Sequence, residues 1–261
     1  MHIETRGAGP DLILLHGWAM HSGVFDALAL HLSSRFTLHL VDLPGHGHSH
    51  DSALPLALEP VVDALAARFP RALWAGWSLG GLFALHAAAT RPEAVAGLAM
   101  ICASPKFVRG EDWPQGMLPE VFRGFARGLR GDYRATLDRF IALEAFGSDD
   151  ARGEIRTLRD EVFARGEPAA HVLADGLSLL EDTDLRNVLS GLQMPTLWYA
   201  GRRDRLVDPR AMQAAAGLVA DARIVVAEHA GHAPFLTHAD AVAAELLAFA
   251  AHVERLEGGS R

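Results

Sequence analysis

A serine in a glycine-rich turn gives this sequence of 261 residues its clearest chemical signal. Ser78 lies in the run GWSLGG (residues 76–81), after an apolar strand pattern and before a helical pattern. A sharp strand-to-helix turn forces a strained backbone on its central residue, and the flanking glycines leave room where side chains would collide. The hydroxyl then stands above the sheet, near the positive end of the following helix. The motif therefore predicts Ser78 as the nucleophile of an acyl transfer.

A serine hydroxyl is a weak nucleophile at neutral pH and needs a base. In proteins with this turn, the acid and then the histidine follow the serine along the chain. His232 lies in the loop AGHAPF (residues 230–235), between the last predicted strand and the last predicted helix, and can reach back over the sheet. The other histidines in this region are His229, His238 and His252. Loop position favours His232, with His229 as the main rival.

The acid should orient the imidazole and stabilise its cation. Asp204 lies in the segment GRRDRLV (residues 201–207), directly after a strand pattern. Asp208 is the alternative, but an Asp-Pro pair is typical of a helix start, where aspartate caps free N–H groups. We therefore predict Asp204 as the acid.

Negative charge on the reacting carbonyl oxygen must be received by two backbone N–H groups. One is expected from Leu79, directly after the nucleophile, and the other from the loop after the first long strand. In this chain that loop is His16-Gly17-Trp18, so the N–H of Trp18 is the second candidate. The Trp18 indole is then free to line an acyl pocket or to pack against the elements above the site.

Short apolar runs alternate with longer helical patterns, as expected for an α/β protein with a mostly parallel central sheet flanked by helices. The apolar runs cover residues 12–15, 36–41, 72–77, 95–102, 196–200 and 223–227. The helical patterns cover residues 24–32, 59–69, 79–90, 208–219 and 238–254. Sites in such sheets lie outside the carboxyl ends of the strands, where His16, Asp42, Ser78 and Ser104 fall.

The alternation stops between residues 105 and 187, which we call the cap segment. This stretch is typical of several amphipathic helices without a convincing strand, and it holds 12 of the 24 basic residues. We therefore predict a helical cap inserted between two strands, over a core domain of residues 1–104 and 188–261. Only residues 258–261 look like a loose tail.

Composition excludes several classes of protein. Half of the residues are apolar, and the net charge of −8 disfavours a general nucleic-acid binder. The single cysteine excludes an internal disulfide framework, and no cofactor motif or metal constellation is expected. The chain shows neither a secretory signal nor an apolar run of about 20 residues, so we expect a cytoplasmic protein with no membrane span. We expect a monomer.

Four motifs in this order resemble the α/β-hydrolase superfamily over nearly the whole chain: LLHGW (14–18), DLPGHGHS (42–49), GWSLGG (76–81) and GHAPF (231–235). A closer resemblance is to the pimeloyl-[acyl-carrier protein] methyl ester esterases of biotin synthesis. It rests on FTLHLVDLPG (36–45), GWSLGGL (76–82), RFIAL (139–143) and HAPF (232–235) followed by His238. The resemblance implies hydrolysis of a methyl ester on a carrier-bound pimeloyl chain, with release of methanol, by Ser78, His232 and Asp204.

The same resemblance implies a substrate pocket formed by Trp18, Ser78, Leu79, Phe140, Ile141, Ala142, Leu143, Glu144 and His232. An apolar segment beneath a cap suits a polymethylene chain. The implied partner, acyl-carrier protein, is strongly acidic, so an enzyme of net negative charge needs a local basic patch to bind it. The docking face of the family maps onto Arg139, Arg152, Arg156 and Arg159, with Ala135 where a further base is expected.

Arginine spacing in the cap segment supports such a patch. Arg123, Arg127, Arg130 and Arg134 form one stripe if their helix is continuous, and Arg152, Arg156 and Arg159 form a second one. The alternative is a solvated helical face with intrahelical ion pairs.

For the whole protein, the alternatives are a small-molecule carboxylesterase, thioesterase or lactonase, and a catalytically silent binding protein on this fold. The arginines favour the carrier-protein esterase over the small-molecule enzymes, and the complete Ser-Asp-His set argues against the silent binding protein.

Overall fold

The computed structural model describes residues 1–259 and places seven strands in one sheet. The strands are β1 (Ile3–Gly7), β2 (Asp11–Leu15), β3 (Thr37–Val41), β4 (Ala72–Trp77), β5 (Val95–Ile101), β6 (Thr196–Gly201) and β7 (Ala222–Ala227). Their order in the sheet is β1-β3-β2-β4-β5-β6-β7. Only the β1–β3 pairing is antiparallel. The predicted mostly parallel α/β sheet is therefore confirmed.

The N-terminal edge strand β1 has no counterpart among the predicted strands. Only Ile3 among its residues is apolar, and all five are partly or fully exposed, whereas β4 and β6 are buried at every position. A pattern search for continuous apolar runs finds strands that are covered on both faces, and an edge strand with one solvated side lacks such a run.

Ten α-helices accompany the sheet within residues 1–259. They are α1 (Asp26–Leu32), α2 (Leu58–Arg68), α3 (Leu79–Thr90), α4 (Pro119–Gly131), α5 (Tyr133–Glu144), α6 (Ala151–Ala164), α7 (Ala170–Asp182), α8 (Pro209–Ala216), α9 (Pro234–Thr237) and α10 (Ala239–Gly259). Helix α1 packs on α10, and α2 packs on α3. The predicted loose tail is wrong at Gly258 and Gly259, because α10 continues through both; Ser260 and Arg261 lie outside the described residues.

Four of these helices, α4 to α7, lie between β5 and β6, inside the cap segment. Before them, residues 105–118 form only isolated bridges among the described strand contacts. Lys106 and Asp184 pair side by side, with 3.0 Å between the ammonium and the carboxylate. The chain therefore enters and leaves the cap segment at one place.

The four arginines of the first predicted stripe do not share one helix, because the continuity on which that stripe depended is absent. Helix α4 ends at Gly131, and Asp132 adopts an extended backbone (φ −140°, ψ 93°) before α5 begins. The Asp132 carboxylate accepts a hydrogen bond from the N–H of Ala135 and so caps α5. Arg134 consequently lies on a different helix from Arg123, Arg127 and Arg130.

Helix α6 is tied to the core near both of its ends. At its C-terminal end, Arg165 donates to Ser22 and lies 3.6 Å from the buried carboxylate of Asp42. At its N-terminal end, Glu154 accepts a hydrogen bond of 3.0 Å from Thr237. The cap segment is thus held to the core at two points of α6.

None of the helices in residues 1–259 combines the length and the apolar character that crossing a membrane requires.

Candidate active site

Ser78 occupies the strained turn between β4 and α3. Its backbone has φ +53° and ψ −119°, a region that residues other than glycine rarely adopt. The turn is possible because glycines flank it at close quarters. A Cβ on Gly76 would lie 2.3 Å from the carbonyl oxygen of Gly80, and a Cβ on Gly80 would lie 2.2 Å from that of Leu15. The strand-to-helix turn that the sequence predicts is therefore present, with Ser78 at its tip.

A continuous hydrogen-bond chain joins Ser78, His232 and Asp204. The Oγ of Ser78 lies 2.9 Å from Nε2 of His232, and Nδ1 of His232 lies 2.8 Å from Oδ2 of Asp204. Because Nδ1–H donates to the carboxylate, Nε2 is free to accept the serine proton. The rival base, His229, is instead exposed and contacts Arg203.

The backbone of His232 is held from two sides. The indole N–H of Trp77 donates to its carbonyl oxygen at 2.8 Å, and its own N–H donates to the carbonyl oxygen of Glu144 at 3.4 Å. Trp77 belongs to β4, whereas Glu144 ends α5. The core and the cap segment therefore both position the imidazole.

Asp204 divides its two oxygens between loop and imidazole. Oδ1 accepts the N–H groups of Leu206 and Val207 at 2.8 and 2.9 Å, while Oδ2 faces His232. Asp208 instead caps α8, accepting the N–H of Arg210 and pairing with its guanidinium. The structure thus joins Asp204, and not its rival, to the histidine.

The two N–H groups predicted for oxyanion binding flank Ser78. Neither Trp18 N–H nor Leu79 N–H has a hydrogen-bond acceptor among the described residues. A Cβ on Gly17 would lie 3.2 Å from Cβ of Ser78, which brings the Trp18 loop beside the nucleophile. His16 orients this loop, because its Nδ1 donates to the carbonyl of Gly17 at 2.8 Å while Nε2 accepts the N–H of Leu43.

This supporting role of His16 was missed from the sequence. A planar trans peptide directs its N–H away from its C=O, so fixing the Gly17 carbonyl also fixes the Trp18 N–H. Burial lowers the pKa of His16 to about 3, and the neutral ring keeps one donor and one acceptor nitrogen. The only sequence signal is its position directly after β2.

Trp18 lies at the contact between the core and the cap segment. Its indole is fully buried, donates to the carbonyl of Leu173 at 2.8 Å and meets Phe140 edge to face at 4.6 Å. Phe125 of α4 packs on both aromatic rings. Three cap helices therefore converge on one side chain next to Ser78, which is itself only 3% exposed.

The other implied pocket residues divide between two faces of α5. Phe140, Ile141 and Glu144 are buried, whereas Ala142 is exposed and faces away from the site. Leu143 is half-buried and lines a cavity of about 300 Å³ that the Asp204 loop also lines. The helical period explains the split, because five consecutive residues of a helix cannot all face one side.

The implied docking arginines lie on the exposed surface of the cap segment. Arg152, Arg156 and Arg159 share one face of α6, and Arg139 lies on the neighbouring α5. Arg159 forms an ion pair of 2.8 Å with Asp138, which links the two helices. The structure therefore brings the four arginines onto one helix pair.

Cys102, Asp204 and His232 each offer one possible metal-ligand atom, and these atoms lie within 4.8 Å of one another. Both ring nitrogens of His232, however, are already engaged by Asp204 and Ser78. Burial raises the pKa of the Cys102 thiol well above its usual value, which disfavours the thiolate that metals prefer. The arrangement suits proton transfer better than metal binding.

Comparisons with known proteins agree with this geometry. The family model for the alpha/beta hydrolase fold matches residues 10–239. A protein of Stenotrophomonas maltophilia (strain R551-3) named pimeloyl-[acyl-carrier protein] methyl ester esterase is 58% identical, over 99% of this chain and 100% of its own length. A protein of the same name from Xanthomonas campestris pv. campestris (strain B100) is also 58% identical, over 96% and 99%.

Solved structures give the same fold at much lower identity. An esterase from Exiguobacterium antarcticum superposes with a TM-score of 0.86 at 20% identity, covering 97% of this chain and 95% of its own. The enol-lactonase from Burkholderia xenovorans LB400 superposes with a TM-score of 0.83 at 22% identity, covering 96% of each chain.

Proposed function

Because this chain belongs to the α/β-hydrolase family, we propose that it is a serine carboxylesterase that hydrolyses pimeloyl-[acyl-carrier protein] methyl ester to pimeloyl-[acyl-carrier protein] and methanol, in biotin synthesis. The observation that carries the proposal is the hydrogen-bonded chain from Ser78 through His232 to Asp204 beneath the cap segment. Relatives that bear this name match the chain at 58% identity over nearly its full length, which supports the choice of substrate.

The proposed reaction follows from the donors and acceptors in the site. Nε2 of His232 takes the proton of Ser78 while Oγ attacks the methyl ester carbonyl. The N–H groups of Trp18 and Leu79 receive the negative charge on the carbonyl oxygen. The imidazolium, held by Asp204, then protonates the departing methoxide and releases methanol. Water deprotonated by His232 hydrolyses the acyl-serine, which frees the carboxylate and restores the hydroxyl.

We propose that residues 105–187 act as the cap that selects the acyl chain. Phe140 and Ile141 present an apolar face beside Trp18, which suits a polymethylene chain. The cap covers Ser78 almost completely, so the ester must enter through a path that cap movement opens. Solvent exclusion in the closed form then strengthens the charge interactions of the reaction.

The carrier is proposed to dock on the arginines of α5 and α6. Arg139, Arg152, Arg156 and Arg159 are all exposed, and they lie on the two helices that also pack on each other. A basic patch gives an acidic partner a defined place on an enzyme whose net charge is −8. We also propose that the enzyme is a monomer and that it works in the cytoplasm.

The decisive experiment compares one methyl ester with and without its carrier. Purified enzyme is given pimeloyl methyl ester on acyl-carrier protein, and separately the free dimethyl ester of the same chain. We expect kcat/KM at least about tenfold higher for the carrier-bound ester, and Ser78→Ala should abolish both reactions. Equal values would indicate a small-molecule carboxylesterase, and absence of turnover on both would contradict the esterase proposal.

A further inference from the structure

Glu144, which the resemblance places in the substrate pocket, is a buried carboxyl group that moves no proton in the proposed reaction. It lies one helical turn beyond Phe140, on the face of α5 that covers the site. Its side chain is fully buried, and neither carboxyl oxygen has a hydrogen-bond partner among the described residues. A buried carboxylate left without partners is costly, so this group needs a physical explanation.

The charges around Glu144 are acidic. Asp204, from the loop after β6, and Glu154, from α6, both act on it and oppose its ionisation. His232, from the loop before α9, faces it through the backbone hydrogen bond and directs its ring nitrogens to Asp204 and Ser78. Burial, followed by these two carboxylates, raises the pKa of Glu144 well above its usual value.

Bases on the adjoining elements are engaged elsewhere. Arg203 contacts the turn after α5 but is paired with Asp149. The arginines of α4 and those on the docking face of α6 are exposed to solvent. Glu154 differs from Glu144, because it accepts hydrogen bonds from Ser148 and Thr237. Glu144 is therefore the carboxyl group of this cluster that has neither a cation nor a hydroxyl beside it.

We propose that Glu144 works as an uncharged carboxylic acid, and that its proton keeps the end of α5 seated on the His232 loop. Glu144 is a positioning residue in this view, because it acts on the reaction only through the backbone of His232. Its carbonyl oxygen accepts the His232 N–H, and that bond requires the last turn of α5 to stay against the loop.

Loss of the proton would disturb this arrangement. A carboxylate at position 144 would need water or a new partner, since the groups beside it are already negative. The end of α5 would have to move outward to provide either, which would break its hold on His232. Ester hydrolysis should therefore fall at alkaline pH, because the end of α5 has moved away from His232.

The first test rests on the proposed esterase activity and uses hydrolysis of p-nitrophenyl butyrate between pH 6 and 9.5. For the native enzyme, kcat/KM should fall about fivefold or more between pH 7.5 and the alkaline end. Glu144→Gln, compared with its own value at pH 7.5, should lose less than about twofold in kcat/KM at pH 9.5. Glu111→Gln, which removes one exposed carboxylate from the cap segment, should retain the native profile.

Identical profiles for the native enzyme and Glu144→Gln would overturn the inference while leaving the esterase proposal intact. A steeper alkaline loss for Glu144→Gln than for the native enzyme would also overturn it, because the proton at position 144 could then not account for the fall. Glu144→Met, which is neutral but cannot donate a hydrogen bond, should also lose less than about twofold between pH 7.5 and 9.5. An alkaline loss in Glu144→Met as large as the native one would contradict the inference.

The second test needs no activity. A carboxyl group whose pKa is raised by folding keeps its proton in the folded state at a pH where the unfolded chain has lost it. Its cost to stability therefore grows as pH rises from the unfolded value, about 4.3, through the folded value. The Tm of Glu144→Gln should exceed the native Tm by a margin that grows by about 3 °C or more between pH 5 and 9. A margin that stays constant with pH would contradict the inference even if no ester were hydrolysed.

Discussion

At the scale of the residue, the site depends on how His232 divides its two nitrogens. One nitrogen donates to Asp204 and the other accepts from Ser78, so removing any member leaves the other two without their function. Triad members therefore act as a unit, and their losses on mutation do not add. The same geometry separates His232 from His229, three residues earlier, which is exposed and bound to Arg203.

We expect His232→Ala to lose as much ester hydrolysis as Ser78→Ala, on the order of 10⁴-fold or more in kcat. His229→Ala should change kcat less than about threefold, because that ring contacts neither the nucleophile nor Asp204. Steady-state kinetics on p-nitrophenyl butyrate measure both. Reversed losses for the two histidine variants would assign the base to His229.

The two aspartates provide a second matched pair. Asp204→Asn should lower kcat by about 10³- to 10⁴-fold, because an amide can stabilise the wrong imidazole tautomer and cannot balance the imidazolium charge. Asp208→Asn should keep activity within about threefold, since asparagine also caps helices well. The opposite ranking in the same assay would move the acid to Asp208.

The motif around Ser78 and the order of serine, acid and histidine along the chain were enough to predict that Ser78, Asp204 and His232 lie together. Other features of the site required coordinates. His16 orients the Trp18 peptide through two ring hydrogen bonds, and Glu144 is buried without a partner. Neither property is visible from residue type, because both depend on which groups from distant parts of the chain lie next to the side chain.

At the scale of the element, the buried strands were predictable because continuous apolar runs mark strands covered on both faces. The edge strand β1 and the helix break at Asp132 were not. The first is half solvated, and the second depends on one aspartate capping the next helix rather than continuing the first. A hydrophobic pattern alone predicts neither the edge strand nor the helix break.

The attachment of α6 to the core gives a prediction at this scale. Arg165 is largely buried and lies near the carboxylates of Asp42 and Glu4. Arg165→Met should destabilise the protein by about 1–3 kcal/mol, because it leaves the buried Asp42 charge without its cation. Arg156→Met, on the exposed face of the same helix, should change stability by less than about 0.5 kcal/mol. Equal shifts in denaturant midpoint would mean that Arg165 does not hold the cap.

At the scale of the whole molecule, basic charge is a local feature. The chain carries a net charge of −8, and the cap segment holds half of its basic residues, nearly all of them arginines, but also half of its acidic residues. Some of these arginines already have acidic partners, as Arg159 has in Asp138. Arg156 and Arg139 are exposed and form no ion pair among the described residues, so their charges are available to an acidic carrier.

Reversing these two charges tests whether the cap surface recognises the carrier. Arg139→Glu combined with Arg156→Glu should raise KM for the carrier-bound methyl ester by about tenfold or more, since like charges then face each other across the interface. Hydrolysis of p-nitrophenyl butyrate should stay within about twofold, because neither arginine touches the reacting atoms. The native advantage for the carrier-bound ester should also shrink with added salt, which screens exposed charges over about 8–10 Å near physiological ionic strength.

The matched control is Arg127→Glu combined with Arg130→Glu, which changes the net charge equally but on α4. This variant should raise KM for the carrier-bound ester by less than about threefold, because a short screening length makes the position of a charge matter more than the total. An equal rise for both double variants would mean that overall charge, not the α5–α6 surface, attracts the carrier. A loss on p-nitrophenyl butyrate as large as on the carrier-bound ester would instead mean that Arg139 and Arg156 support the cap.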